Sequence, residues 1–146
     1  MSTRSATIIK QTTYLGEEAD TEELMRFYRH CDGYPEGHGM EMAEAIKLAD
    51  ATNRYQDAWL QSVLTAFFGN DNVIEFEAKG CEHDDIEYLY VIEGIVDLRL
   101  GVTKSGRLPI TISVYGVGWE ESYSDVEKQE PIFSGTAYEY IERFGK

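Results

Sequence analysis

The spacing of apolar residues changes period along this chain, and each change predicts an element. Residues 5–10 (SATIIK) and 24–30 (LMRFYRH) read as strands. In the second, Met25, Phe27 and Arg29 alternate with Leu24, Arg26, Tyr28 and His30. A strand there puts Tyr28 and His30 on one face and Phe27 and Arg29 on the other. The acidic stretch between the two strands is long for a hairpin turn. Residues 40–51 switch to helical spacing, with Met42, Ala45, Ile46 and Ala49 in an apolar stripe and Glu41, Glu44, Lys47 and Asp50 mostly off it. A second helix over 57–68 turns Trp59, Leu60, Val63, Leu64, Phe67 and Phe68 inward, and Gly69 closes it.

Alternation returns in the C-terminal half. Strands are expected over 73–78, 86–92, 96–102 and 108–115, with turns at Glu93-Gly94 and at Lys104-Ser105-Gly106. Four consecutive strands with short turns make an antiparallel meander. Residues 116–134 carry two glycines, two acidic runs and Pro131, and are expected to be irregular or partly extended. A short amphipathic helix then covers 137–144, with Thr136 as its N-cap. The predicted fold is a single α+β domain over residues 1–146. An antiparallel sheet packs against two helices, in the order ββααββββ plus a short C-terminal helix. Its expected core holds Ile46, Trp59, Leu60, Val63, Leu64, Phe67, Tyr90, Leu98 and Ile112.

Charge narrows the partners. Against 13 Lys and Arg stand 27 Asp and Glu, a formal net charge of −14 in 146 residues. Such a field repels nucleic acid and anionic membranes at long range, so neither is expected as a direct partner. The carboxylates cluster at Glu17 to Glu23, at Glu82 to Asp85 and at Glu120 to Glu127. They serve solubility, or an acidic surface that mimics nucleic acid and docks on a basic protein. The ten tyrosines suit half-exposed sheet faces and interfaces. Tyrosine-rich edge strands over 86–115 need covering, so a homo-oligomer, most simply a dimer, is expected. Two cysteines, Cys31 and Cys81, make no disulfide framework, and no apolar run is long enough to span a bilayer. A cytoplasmic setting follows as the expectation.

Chemistry concentrates at residues 28–39. Gly33, Gly37 and Gly39 permit positive φ and close backbone approach, and Pro35 biases Tyr34 toward an extended shape. This segment reads either as a ligand-facing loop presenting Arg29, His30, Asp32, Tyr34 and His38, or as a tight structural link between strand and helix. No metal and no cofactor is expected. Cys31-x₆-His38 and Cys81-x-His83 match no structural zinc spacing, and the acidic loops lack the EF-hand pattern. A nucleophilic Cys31 has its neighbour His30 on the opposite face of a strand, and no nucleophile elbow or Walker loop is present. No enzyme activity is expected.

The run Arg29-His30-Cys31-Asp32-Gly33-Tyr34-Pro35-Glu36-Gly37-His38-Gly39, with the opening Met1-Ser2-Thr3-Arg4-Ser5, resembles a group of small proteins encoded in bacteriophage and prophage genomes. A looser likeness extends to residues 133–144. The resemblance implies a phage setting inside a host cell and no established activity. A small, acidic, non-enzymatic phage protein suggests counter-defence by stoichiometric capture. One form is a sponge for a signalling nucleotide, in which Arg29 pairs a phosphate, Tyr34 stacks on a base, and His30, Asp32 and His38 make polar contacts. The other is an acidic inhibitor on the basic surface of a defence nuclease such as a CRISPR effector. A third reading is a phage accessory protein whose loop is purely structural.

Overall fold

The structure, a computed structural model, describes residues 3–15, 17–51, 74–97, 107–118 and 121–145. Strands β1 (Ser5–Leu15) and β2 (Glu18–Arg29) form one long antiparallel hairpin, in register from Ser5↔Arg29 to Leu15↔Glu18. The acidic stretch expected to be a connection is therefore mostly strand. Threonines carry it: β-branched Thr12 and Thr21 face each other, and their hydroxyls hydrogen-bond at 2.8 Å. The register shifts between Ile9 and Lys10. Beyond that irregularity Leu24 joins Met25 against the same core cluster instead of alternating with it.

After β2 come one π-helical turn (Pro35–Gly39), helix α1 (Met40–Ala51) and strand β3 (Ile74–Glu77). Strands β4 (Tyr88–Asp97) and β5 (Arg107–Gly116), helix α2 (Tyr123–Glu127), strand β6 (Phe133–Thr136) and helix α3 (Ala137–Phe144) follow. The strand order is β3-β2-β1-β4-β5-β6. Neighbours are antiparallel except β1 and β4, which run parallel from Ser5↔Tyr88 to Tyr14↔Asp97. The sheet is thus mixed and not the expected antiparallel meander. The reason is a crossover: residues 78–87 leave β3 and traverse one face of the sheet before entering β4 beside β1.

The turn expected at Glu93-Gly94 does not form either. β4 continues through both residues, and the register to β5 shifts between Glu93 and Ile95, so Gly94 is taken up within a bulge. β4 and β5, the described strands of the tyrosine-rich segment expected at a sheet edge, lie inside the sheet, and β3 and β6 are its outermost strands among the described residues. The stretch expected to be irregular contains α2, capped by Ser122, and the first half of β6.

Period-2 alternation divides the core in two. On one face α1 and α3 pack together over Ile9, Phe27, Tyr90, Ile92 and Ile112. Of the expected core, Ile46, Tyr90 and Ile112 are fully buried there. The predicted helix over 57–68, with Trp59, Leu60, Val63, Leu64 and Phe67, lies outside the described residues, as do Leu98 and the turn at 104–106. On the other face Ala6, Ile8, Tyr28, Leu89 and Val91 are covered by Ile86 and by Tyr123 and Val126 of α2. Among the described residues no helix is long and apolar enough to cross a membrane.

Candidate functional site

Two polar neighbourhoods sit at the β2 end of the sheet, one on each face. The first is the loop after Arg29. Asp32 takes a left-handed backbone (φ 56), which short polar side chains tolerate better than most. Gly33 then donates to the Thr3 carbonyl at 2.9 Å and lies against Ser5, where a Cβ would fall 2.6 Å from Oγ. Pro35 opens the π turn, which runs directly into α1. His38 N–H donates to the Asp32 carbonyl at 3.0 Å. Two buried tyrosine hydroxyls hold the loop from below: Tyr90 donates to the Gly33 carbonyl at 2.7 Å, and Tyr140 to that of Pro35 at 2.8 Å.

The five residues expected to bind a ligand do not all face one surface. His38 is fully buried, edge-on to Phe27 and Tyr90 with ring centroids 5.7 and 6.0 Å away. Arg29 Nη1 lies 3.5 Å from its Nδ1. Arginine has only donors, so Nδ1 is the accepting nitrogen. Burial, aided by the Arg29 charge, holds the His38 pKa down at about 3. Arg29 is itself buried; its Nε donates to the Cys31 carbonyl at 2.6 Å and its Nη1 lies 3.6 Å from Glu41. Tyr34 is 38% exposed, and Asp32 is exposed. His30 points to the opposite face, as the strand alternation requires, and pairs with Glu75 at 2.9 Å. The structure brings Arg29 and His38 together, turned inward, with His30 on the opposite face and Asp32 and Tyr34 exposed.

The second neighbourhood lies on the α2 face, where residues 78–87 cross β2. Tyr28 stacks on His83 at 3.9 Å and meets His30 edge-on at 4.8 Å. Its hydroxyl donates to Asp85 at 3.1 Å, and burial, with the Asp85 charge, pushes its pKa up to about 12. Buried Arg26 donates Nη1 to the Cys81 carbonyl at 2.5 Å and is paired with Glu23 at 2.7 Å. His83 N–H donates to the Tyr123 hydroxyl at 2.9 Å. Within this frame Glu77 accepts on both oxygens: His83 Nε2 is 2.8 Å from Oε1, and Cys81 Sγ is 3.2 Å from Oε2. These bonds hold the Glu77 carboxyl below its ordinary range, the His83 bond chiefly, and the Glu77 bond raises the Cys81 thiol.

Sequence reasoning named Cys81 and His83 and missed Glu77. A strand carboxylate before a charged loop gives no sign that the loop folds back over it. Gly80, at φ 86, makes that return within the tight turn closed by Cys81 N–H to the Ala78 carbonyl at 3.0 Å.

A third feature is electrostatic. Glu17, Glu18, Asp20 and Glu22 are all exposed along the far half of the β1–β2 hairpin. β3 pairs only with Arg26–Arg29 of β2, so among the described residues the outer ladder of this half is open. Fold and sites together define a mixed-sheet α+β protein with a packed loop, a Glu-Cys-His cluster and an acidic strand edge. Compared with known protein families, with curated proteins and with solved structures, the chain matches none.

Proposed function

We propose that this chain is a counter-defence binding protein that acts by one-to-one capture, docking an acidic surface on the basic face of a host defence protein such as a nuclease. The observation that carries this reading is the row Glu18, Asp20 and Glu22 on the open half of β2, all three exposed. In extended backbone, alternate side chains share a face, about 6.7 Å apart from one to the next. The row is thus a regular line of negative charge on a hydrogen-bonded hairpin, in a chain of net charge −14. An array held in place in advance loses little conformational freedom on docking, and its field speeds encounter with a basic partner.

The nucleotide-sponge form has less support. Arg29 and His38 are turned into the core, His30 is on the other face, and the exposed Tyr34 ring alone remains for a base.

The test is capture from a host lysate by the tagged chain and by an E18Q/D20N/E22Q variant, at low and high salt, beside a thermal-shift screen of cyclic and linear nucleotides. A basic protein bound one-to-one, released by salt and lost in the triple variant, is the expected result. A nucleotide shift abolished by Tyr34→Ala replaces this reading with the sponge. No protein and no nucleotide overturns capture altogether.

A further inference from the structure

We propose that Glu77, Cys81 and His83 form a binding site for a zinc-class divalent cation, with three protein ligands and a fourth position filled by water. The three side chains offer a carboxylate oxygen, a thiol sulfur and an imidazole nitrogen, all within 4.8 Å of one another and all partly buried. Zinc bonds of about 2.0–2.3 Å to oxygen, nitrogen and sulfur place tetrahedral neighbours roughly 3.3–3.7 Å apart. The hydrogen bonds here, at 2.8 and 3.2 Å, run to the two different oxygens of Glu77. Admitting the ion takes an opening of a few tenths of an ångström at each and the settling of the Cys81–His83 pair, now within 4.8 Å, at the same tetrahedral spacing.

The donor set chooses the class of metal. Thiolate and imidazole exclude calcium and magnesium, which take oxygen ligands, and suit zinc or its cobalt(II) substitute. Three protein ligands with one open position is the arrangement of zinc sites that keep an exchangeable water. A shallow depression lined by Glu82, His83, Asp84, Glu121 and Ser122 adjoins His83 and gives solvent its approach.

The site is also built in advance, which separates it from a chance meeting of surface side chains. The Cys81 carbonyl is held by buried Arg26, the His83 amide by the buried Tyr123 hydroxyl, and the His83 ring by the buried face of Tyr28. All three clamps come from the core of the α2 face, so the ligand-bearing loop is positioned by residues that do not themselves ligate. Binding replaces protons that now sit between the ligands. The Cys81 thiol proton, donated to Glu77, leaves to solvent, and the His83 ring, which here donates from Nε2 to Glu77, moves that proton to Nδ1 so that Nε2 takes the metal. One proton is released per ion.

The probe is zinc chloride added to the reduced, chelator-treated full chain. Calorimetry should give one site per chain with release of one proton, seen as heat that varies with the buffer. Cys81→Ser and His83→Gln should each weaken binding at least tenfold, and Cys31→Ser should leave it unchanged. If those variants do not fold, thiol modification of the unaltered chain decides: zinc should slow labelling of Cys81 and not of Cys31, and chelator should reverse this. Cobalt(II) should show the near-ultraviolet band of a metal–thiolate bond. No one-to-one binding, binding undiminished in both Cys81→Ser and His83→Gln, or equal labelling of Cys81 with and without zinc overturns the proposal.

Discussion

Tyr140 and Gly39 stand so close that no side chain fits between them: a Cβ on Gly39 would fall 2.8 Å from Tyr140 Cζ and nearer still to the hydroxyl. That hydroxyl is spoken for, because it donates to the Pro35 carbonyl and ties α3 to the π turn. Gly39→Ala should destabilise the fold by about 1–3 kcal/mol through overpacking. Tyr140→Phe should cost about 1–3 kcal/mol by leaving the Pro35 carbonyl without its donor. The two changes meet at one atom, so urea unfolding of the double variant should show a loss smaller than the sum. Strict additivity would mean that the two residues do not touch.

The pH dependence of stability should carry the signature of His38. Its pKa is lowered to about 3 in the fold and lies near 6.5 in the unfolded chain. Above about pH 6.5 the ring is neutral in both states and contributes its full stability. Below that value the unfolded chain takes up a proton that the folded chain refuses, so stability falls with pH until about pH 3. The slope is at most about 1.4 kcal/mol per pH unit. Urea unfolding between about pH 7 and pH 4 should show a shallower loss for His38→Gln than for the unaltered chain; equal slopes would show that the ring is hydrated.

Asp32 separates a binding loop from a structural one. Its left-handed φ is what glycine adopts at no steric expense, so Asp32→Gly should leave stability within about 1 kcal/mol of the original. If capture runs through the hairpin carboxylates, Asp32→Gly should bind the partner as well as the unaltered chain. A tenfold loss of binding at unchanged stability would return the loop to the interface.

Thr136 closes α3 through a complete capping box, its hydroxyl accepting from Glu139 N–H at 3.2 Å and Glu139 Oε1 accepting from Thr136 N–H at 2.9 Å. Thr136→Ala should cost about 0.5–2 kcal/mol in the same unfolding assay. No measurable change would mean that water replaces the cap.

Local order determined much of what the chain forms. Alternation in residues 24–30 sorted Tyr28 and His30 from Phe27 and Arg29, and the structure has the first pair in ring contact on one face and the second beside His38 on the other. Helical spacing after the glycine-rich loop marked α1, and the Thr136 hydroxyl marked the start of α3. Such features depend on neighbours within a few residues, and their physics is written in the spacing itself.

Contacts between residues distant in the chain settled the rest. Whether β4 lies parallel beside β1 depends on where the 78–87 crossover runs, and the apolar pattern of a strand is the same for either direction. Whether Arg29 and His38 face a ligand or the core depends on Phe27, Tyr90 and Tyr140 closing beneath the loop, three residues drawn from three elements. Glu77 meets Cys81 and His83 because the loop folds back over the sheet onto Tyr28 and Tyr123. Long-range packing chose among arrangements that local pattern leaves equal in energy, and both polar neighbourhoods were placed by that choice.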